Sequence, residues 1–339
     1  MSVRVTDPFG AALDRDIPSL ALALDAATAR KEFRRRLPRL SGTGKLRLKA
    51  IRVVRHKPGR RCVAEYVAEV HRPGEENHLV TLIGKARARR SGNEGFRLQE
   101  AFWNAGFDAC SADGISVPEP IGVISNFQMW FQRKVPGTTA EALLRGPGGV
   151  GWAEKIATAI HKVHAAGVPT TKIHGMDQEL RILRECFAKV AEARPEWSSR
   201  LERVMAACER LGASVPAPAP CGIHRDFYAS QVIVDDSRLW LIDFDLYCRG
   251  DPGLDPGNFI GHVTEQALRE LGDAGALAPV ERALEDRFVD LAGEHTRCSV
   301  RAYAALTLVR HVFLSSRLPG RGHLSEQLLA LCESRLAGY

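Results

Sequence analysis

One stretch of this sequence carries most of its chemical information, and from His224 to Asp245 it reads HRDFYASQVIVDDSRLWLIDFD. The apolar runs on either side of Asp235-Asp236-Ser237 predict two short strands joined by a turn. Asp226 lies in the loop before the first strand, Gln231 lies at the start of that strand, and Asp243 ends the returning strand. Carboxylate and carboxamide oxygens suit Mg²⁺, so the hairpin predicts a site where a metal ion and a nucleophilic hydroxyl meet a nucleotide phosphate.

The composition around this stretch is typical of a globular protein. The chain has 339 residues, of which 45% are hydrophobic and 26% charged, and this length allows two domains or lobes. The most apolar early run, from Ile17 to Leu24, is flanked by Asp16 and Asp25, which suits neither a signal peptide nor a membrane-spanning helix. The eight cysteines show no Cys-x-x-Cys spacing, so we expect reduced thiols in a cytoplasmic protein rather than a zinc site or disulfides.

The net charge of +7 raises the question of a nucleic-acid partner. Lysine and arginine are dense between Lys31 and Arg61, but many of them alternate with apolar residues such as Leu46 and Leu48. This alternation is typical of the solvated face of a strand or an amphipathic helix. We therefore expect neither a nucleic acid nor a membrane as partner.

The first part of the chain predicts a helical lead-in over 19–36 and then a small antiparallel sheet with one helix. Cys62, Ala64 and Tyr66 share one face of a period-two pattern, and Pro58-Gly59 marks the tight turn before it. The predicted strands cover 46–55, 62–70, 79–86, 121–124 and 127–133, and the predicted helix covers 94–105.

After Pro136-Gly137 the pattern becomes helical. Thr138 and Glu141 have the spacing of a capping box, which predicts the start of a short helix. Further predicted helices cover 152–166, 177–193, 198–211, 256–271, 279–292 and 300–316. The resulting fold class is α+β, with one lobe over 1–133 and a mainly helical lobe over 134–339.

An ordered set of polar residues in this frame resembles the protein kinase-like fold, and in its details the aminoglycoside phosphotransferase and choline kinase-like family. The set comprises Lys85 on the third strand, Glu100 on the next helix, His224-Arg225-Asp226, the amide at 231 and Asp243. The resemblance extends from about 46 to 316. It implies two lobes around a nucleotide cleft, a small antiparallel-sheet N-lobe and a mainly helical C-lobe.

The family resemblance implies a kinase that phosphorylates a hydroxyl of a small molecule with ATP or GTP and Mg²⁺. Asp226 would accept the proton of that hydroxyl, and Asp243 and Gln231 would bind the metal. The family usually has Asn at 231, so Gln231 leaves open a nucleotide-binding pseudokinase with little or no transfer. A protein kinase is disfavoured, because only a short segment separates Asp243 from Asp255 and no Ala-Pro-Glu sequence follows.

The same resemblance assigns the nucleotide to the first lobe. Lys85 would bind the α- and β-phosphates and pair with Glu100, for which Glu94 is the competing partner. The turn from Lys57 to Arg61 would cover the triphosphate with backbone N–H groups and basic side chains. The predicted nucleotide-binding residues are Lys57, Gly59, Arg60, Lys85, Glu100, Gln132, Lys134 and Val135, the last three through the hinge backbone.

Four residues have predicted supporting roles. His224 would orient the loop of Asp226 through hydrogen bonds, with Arg225 as a further supporting residue, and Asp245 would either support the metal or cap its own turn. Asp255, which precedes Pro256, is predicted as a helix N-cap that also buttresses the loop. Neither the substrate, the choice between ATP and GTP nor the oligomeric state is indicated by the sequence.

Overall fold

The computed structural model describes residues 3–37, 40, 44–71, 74, 76–88, 92–236 and 238–338. The chain divides into two compact units, Met1–Gly137 with Asp235–Ile242, and Thr138–Val234 with Asp243–Tyr339. The stretch from His224 to Asp245 is thus shared, because its turn and returning strand belong to the first unit and its ends belong to the second. Ser237 of the predicted turn lies outside the described residues.

The first unit contains a six-stranded sheet in the order β1-β2-β3-β4-β7-β6. Its strands are β1 Arg4–Thr6, β2 Lys45–Lys57, β3 Arg61–His71, β4 His78–Arg87, β6 Pro120–Ile124 and β7 Met129–Arg133. All neighbours are antiparallel except β1, which runs parallel to β2. The predicted antiparallel sheet is confirmed, and β1 is an addition to it. A separate parallel pair joins β5 Ile115–Ser116 and β11 Arg238–Leu241.

The helices of the first unit pack beside this sheet. They are α1 Ser19–Leu24, α2 Ala26–Arg36 and α3 Gly92–Phe102. The single lead-in helix predicted over 19–36 is wrong, because Asp25 is extended and its side chain accepts the backbone N–H of Thr28 at 2.7 Å, which starts a new helix. Phe33 of α2 packs against Tyr66 and Phe131 of the sheet, with ring centroids 5.0 and 5.2 Å away.

The second unit is mainly helical, as predicted. Its helices are α4 Ala140–Leu144, α5 Gly149–Ala165, α6 Met176–Ala193, α7 Ser198–Ser214, α8 Leu254–Leu271, α9 Ala278–Ala292, α10 Arg297–Arg317 and α11 Leu324–Arg335. Its strands are β8 Thr138–Thr139, β9 Cys221–Ile223, β10 Val232–Asp235 and β12 Cys248–Gly250. The capping box expected at Thr138 is absent from the described residues, since Thr139 precedes α4 and makes no side-chain cap.

Two small residues bring α8 and α10 together. A Cβ atom on Gly257 would lie 2.5 Å from the carbonyl oxygen of Val300, and one on Gly261 would lie 2.7 Å from the side chain of Thr307. These glycines therefore permit a close helix crossing, and α10 fixes the position of α8. This matters for function because the first turns of α8 carry Asp255 and Asn258.

Within the described part of the chain, no helix combines the length and apolarity needed to cross a membrane. The eight cysteines all lie in the described ranges and form no disulfide there.

Candidate active site

Two short strands of the second unit bring the predicted functional loops together. β9 and β12 are antiparallel neighbours, with Ile223 opposite Cys248. The 224–231 loop leaves β9, and the 243–247 loop enters β12. The His224 ring consequently lies 4.7 Å, centroid to centroid, from the ring of Phe244, which follows Asp243. The loop with Asp226 and the loop with Asp243 therefore share one hydrophobic base.

Asp255 holds the backbone of the 224–231 loop. Its Oδ2 accepts the N–H of His224 at 2.8 Å and its Oδ1 accepts the N–H of Arg225 at 2.6 Å. Asp255 is the second residue of α8, which begins at Leu254 after an N-cap at Gly253, so the predicted N-cap role is wrong. The predicted buttress matches these two hydrogen bonds, which fix the residues directly before Asp226.

A buried histidine on α5 completes this support. His164 of α5 lies with its Nε2 2.8 Å from Oδ2 of Asp255, and the side chains are 6% and 1% exposed. Burial favours the neutral carboxyl, but the hydrogen bond and charge of His164, with those of His224, hold the pKa of Asp255 below its ordinary value. Asp255 thus stays an ionised acceptor for both loop N–H groups.

Asn258 holds the other side of the same loop. Its Nδ2 donates to the carbonyl oxygen of Phe227 at 2.9 Å, one residue after Asp226. Its Oδ1 accepts from Nη2 of Arg310 at 2.7 Å and from Thr307 Oγ1 at 3.2 Å, both on α10. Because the amide donates on one side and accepts twice on the other, its orientation is fixed, and Asn258 restricts the loop as Asp255 does.

The backbone at the two candidate acids is unusual. Arg225, directly before Asp226, has φ of 71°, and Asp243 has φ of 66°. Non-glycine residues in this left-handed region carry strain and concentrate at functional sites. The Asp226 carboxylate is half-buried and has no hydrogen-bond partner among the described residues. It is therefore held in place through its backbone, with its side chain left available.

The donor chemistry at 231 and 243 fits a hard divalent cation. The Gln231 side chain is 6% exposed, and no hydrogen bond to its amide is found within the described ranges. Asp243 is half-buried at the start of the 3₁₀ turn Phe244–Leu246, which also contains half-buried Asp245. The amide oxygen of Gln231 and the carboxylates of Asp243 and Asp245 are hard oxygen donors of the kind that Mg²⁺ takes. Among described His, Cys, Asp and Glu side chains, no group of three is arranged to hold a metal.

In the first unit, the contact partner of Lys85 is a tryptophan. Lys85 and Trp130 face each other across β4 and β7, and Nζ lies 5.0 Å from the ring centroid. The indole also lies close to α3, because a Cβ atom on Gly95 would lie 2.6 Å from Trp130 Nε1. Glu100 lies half-buried on the same helix, and its pairing with Lys85 stays a prediction. Trp130 therefore links Lys85 to α3.

The turn between β2 and β3 already uses its backbone donors. Gly59 donates its N–H to Oδ2 of Asp14 at 3.0 Å, and Arg60 donates its N–H to the carbonyl oxygen of Lys57 at 3.0 Å. His56 Nε2 lies 2.8 Å from the same Asp14 oxygen. Phosphate binding through the N–H groups of Gly59 and Arg60 therefore has no support, which leaves the exposed side chains of Lys57 and Arg60.

The carboxylate of Asp14 is built into this turn. Its side chain is 3% exposed. Burial opposes ionisation, but the hydrogen bonds from His56 and from the backbone of Gly59, Asp16 and Ile17 hold the pKa of Asp14 below its ordinary value. The turn is therefore tied to the segment between β1 and β2.

The hinge residues are also partly engaged. Gln132 lies on β7 opposite Ile83, and Lys134 donates its backbone N–H to the carbonyl oxygen of Thr81 at 2.8 Å. The Lys134 ammonium lies 2.7 Å from Glu65. The N–H of Val135 has no partner among the described residues. Of the three predicted hinge residues, Val135 thus offers the available backbone donor.

The sequence reasoning missed three of these residues, His164, Asn258 and Trp130. Asn258 is a polar residue in the apolar first turns of α8, which signals a buried amide with a bonding role. Trp130 follows from strand register, since β4 and β7 pair Lys85 with it. His164 has no local signal, because its partner is 91 residues away.

The sheet unit, the helical unit and the buttressed loop together define a kinase-like α+β fold. The sequence matches the APH family model, described as the phosphotransferase enzyme family, over residues 91–290. Because this match covers more than half of the chain, the protein belongs to the APH phosphotransferase enzyme family. No match to a curated protein sequence is significant.

Solved structures share the fold at low sequence identity. Choline kinase LicA from Streptococcus pneumoniae is 13% identical with a TM-score of 0.56, and the match covers 86% of this chain and 95% of that chain. A thermostable mutant of aminoglycoside phosphotransferase APH(4)-Ia, in a ternary complex with ADP and hygromycin B, is 14% identical with a TM-score of 0.55 and coverages of 86% and 94%. Glucosamine kinase in complex with glucosamine, ADP and inorganic phosphate is 14% identical with a TM-score of 0.53 and coverages of 77% and 78%.

Proposed function

We propose that this protein is a Mg²⁺-dependent kinase that transfers the γ-phosphoryl group of ATP or GTP to a hydroxyl group of a small molecule. The observation that carries the proposal is the fixation of the loop around Asp226. Asp255 holds the two residues before it, and Asn258 holds the residue after it. The two related structures with bound ADP, which contain hygromycin B or glucosamine, support a nucleotide and a small molecule as ligands.

In the proposed reaction, Asp226 accepts a hydrogen bond from the acceptor hydroxyl and directs its lone pair at the γ-phosphorus. The new O–P bond forms as the bond from the γ-phosphorus to the β,γ-bridging oxygen breaks, and the nucleoside diphosphate leaves. Asp226 takes the hydroxyl proton late in this transfer. Fixation of its backbone keeps the carboxylate oriented and lowers the entropic cost of reaching the reactive geometry.

We assign metal binding to Asp243 and Gln231, with Asp245 as a supporting acid. A bound Mg²⁺ would neutralise negative charge on the phosphates. In the first unit, Lys85 is assigned to the α- and β-phosphates with Glu100 as its predicted partner. Lys57 and Arg60 would contact phosphate through their side chains.

We assign recognition of the nucleotide base to the backbone near Gln132, Lys134 and Val135. His224 and Arg225 support Asp226 through their backbone bonds to Asp255. We expect the reaction to take place in the cytoplasm, where cysteines that form no disulfides stay reduced.

Nucleoside diphosphate release tests the proposal. The full chain is incubated with Mg-ATP or Mg-GTP and a panel of sugars, aminoglycosides, amino alcohols and nucleosides, and products are identified by mass spectrometry. Acceptor-dependent ADP or GDP release and a phosphorylated product are expected. Asp226→Ala should abolish transfer and keep nucleotide binding, whereas the exposed-residue variant Asp290→Asn should behave as wild type.

A pseudokinase is the alternative that Gln231 leaves open. It would bind nucleotide in the same experiment without acceptor-dependent release for any member of the panel. Equal activity in Asp226→Ala and the wild type would reject the assigned role of Asp226.

A further inference from the structure

A cavity of about 220 Å³ lies in the second unit beside the 224–231 loop. Its walls come from α8, from α10 and from the loop residues 228–230, which follow Asp226. This volume suits a small metabolite. Because the segment that directly follows Asp226 and Phe227 forms one of its walls, the cavity is the place in this unit to look for an acceptor.

One wall of the cavity consists of stacked rings. Tyr228 and His262 stack with centroids 4.6 Å apart and an interplanar angle of 15°. His311 meets the edge of His262 with centroids 4.5 Å apart. Among the described residues, Nε2 of buried His311 has no hydrogen-bond partner. The wall thus combines a flat surface with an unused polar atom.

The two imidazoles in this wall are neutral at physiological pH. Burial, with the positive charges of Arg310, Arg321 and Arg269, lowers the pKa of His311 to about 3. Burial, His311 and the charges of Arg310 and Arg269 hold the pKa of His262 well below its ordinary value. Burial is the main cause for both rings, and the neighbouring arginine charges act in the same direction.

The buried carboxylate of the cavity is shared by two arginines. Glu265 is 3% exposed, and its Oε1 lies 3.0 Å from Nε of Arg269 and 3.5 Å from Nη1 of Arg321. The Arg321 side chain is 36% exposed, and its contact with Glu265 is long for a hydrogen bond. Arg321 thus keeps donor capacity for a further anion.

The other acids near the cavity are also engaged. Glu141 accepts a hydrogen bond from the Ser230 hydroxyl. Glu270 lies 2.7 Å from Nη1 of Arg269 and 2.9 Å from Nη1 of Arg145. An ammonium group in the cavity would have to compete with arginine for Glu265 and Glu270, whereas a carboxylate or phosphate group would meet the partly exposed guanidinium of Arg321 directly.

We propose that the acceptor of this enzyme is an alcohol that carries an anionic group, bound by Arg321 with Arg269, while its carbon skeleton lies on the Tyr228 and His262 rings. This inference rests on the proposed function. The acceptor hydroxyl gains the γ-phosphoryl group and gives its proton to Asp226, and the anionic group takes no part in bond making. Arg321 would be a specificity-determining residue.

The test uses small polyols that share a three-carbon skeleton and differ in the charged group that they carry, so that differences in binding among them do not come from the skeleton. Glycerol is neutral, glycerate carries a carboxylate, glycerol 3-phosphate carries a phosphate and 2-amino-1,3-propanediol carries an ammonium group. The full chain with isotope-labelled histidines is titrated with each compound to about 10 mM, a range that detects millimolar affinity. The measured quantities are the imidazole NMR shifts of His262 and His311.

We expect glycerate or glycerol 3-phosphate to shift these signals at concentrations at least about tenfold below those needed for glycerol and the amine, a difference of about 1.4 kcal/mol. The two anions distinguish a carboxylate from a phosphate as the natural group. Arg321→Gln should weaken anion binding at least about tenfold, and Arg321→Lys should restore part of it. Arg317→Gln removes an equal charge from an exposed position at the end of α10 and should have no effect.

Three results would overturn the inference. The first is that the amine binds more tightly than both anions. The second is that Arg321→Gln and Arg317→Gln lose anion affinity equally. The third is that neither anion shifts the histidine signals. The titration contains no nucleotide, so it is independent of phosphoryl transfer. Anion binding without transfer to any acceptor would reject the proposed function alone, whereas transfer to amines or neutral alcohols without anion binding would reject this inference alone.

Discussion

The Nε2 atom of His164 lies 2.8 Å from Oδ2 of Asp255, the same oxygen that accepts the backbone N–H of His224. The Oδ2 atom of Asp255 thus joins α5, α8 and the loop before Asp226. Removal of the negative charge of Asp255 should therefore affect stability and activity together.

Asp255→Asn is expected to destabilise the protein by roughly 2–4 kcal/mol, because the new NH₂ group must face a donor where a carboxylate oxygen now accepts one. The loop before Asp226 should shift, and the turnover number should fall by at least about tenfold, or 1.4 kcal/mol. Denaturant unfolding and nucleoside diphosphate release measure the two effects. Asp290→Asn, on the exposed face of α9, is the control, and wild-type stability in Asp255→Asn would contradict this account.

Gln231 should control the Mg²⁺ dependence of the reaction. Gln231→Ala removes the candidate oxygen donor, and loss of a ligand should cost at least what loss of an outer-shell partner costs, roughly tenfold in metal affinity. Gln231→Asn keeps the oxygen one methylene closer to the backbone and should retain activity. The measurement is the Mg²⁺ concentration at half-maximal rate. Gln327→Ala, at an exposed position of α11, should leave this Mg²⁺ concentration unchanged. An unchanged value for Gln231→Ala would exclude Gln231 as a ligand.

Trp130 should position Lys85 for the nucleotide. Trp130→Leu removes the aromatic face below the ammonium group, worth about 1 kcal/mol, and should raise KM for the nucleotide roughly fivefold. Trp130→Phe should restore part of this loss. Trp197 has matched burial and lies 5.0 Å from Arg194 in the second unit, so Trp197→Leu controls for loss of a buried indole. Equal KM changes in the Trp130 and Trp197 variants would refute a specific role for Trp130.

The buried histidine wall should make stability depend on pH. The pKa of His311 is about 3 in the folded protein against an ordinary value of 6.5, so below pH 6.5 the unfolded chain binds a proton that the folded chain does not. Stability is therefore lost as the pH falls from 6.5 towards 3, by up to about 1.4 kcal/mol per pH unit for this group.

Denaturant unfolding between pH 5 and 8 tests this dependence. His311→Gln should lower the number of protons taken up on unfolding by about one, so the unfolding free energy should depend less steeply on pH. His323→Gln, at an exposed site, should keep the wild-type slope. An unchanged slope in His311→Gln would show that this histidine titrates alike in both states.

The extended elements of the first unit follow from local pattern. The alternation of buried residues along β3 and the Pro58-Gly59 turn give β2 and β3 nearly the predicted bounds. β1 escapes prediction because its three residues are exposed and it exists through pairing with β2 alone. α11 was predictable, since Leu324, Leu328 and Cys332 recur at helical spacing.

The chemistry of the candidate site was predictable as a set of residue types, but its support was not. Asp226, Gln231 and Asp243 are visible because they lie close together in the chain. Asn258 and His164 act through partners on other elements, and no local period reports such contacts. The same limit applies to Gly59. Its φ of 65° suits the turn that the sequence predicts, but the sequence does not show that its backbone N–H donates to Asp14.

The bond from Gly59 to Asp14 spans 45 residues and lies wholly before the region that matches the family model, 91–290. The order of the turn between β2 and β3 therefore depends on a segment that the family pattern does not include. Two proteins with the same matched region can therefore differ in the order of this turn through the segment around Asp14 alone. In this chain, a fusion partner or a cleavage site placed close to Asp14 would disturb the bond to Gly59 and so change the order of the turn.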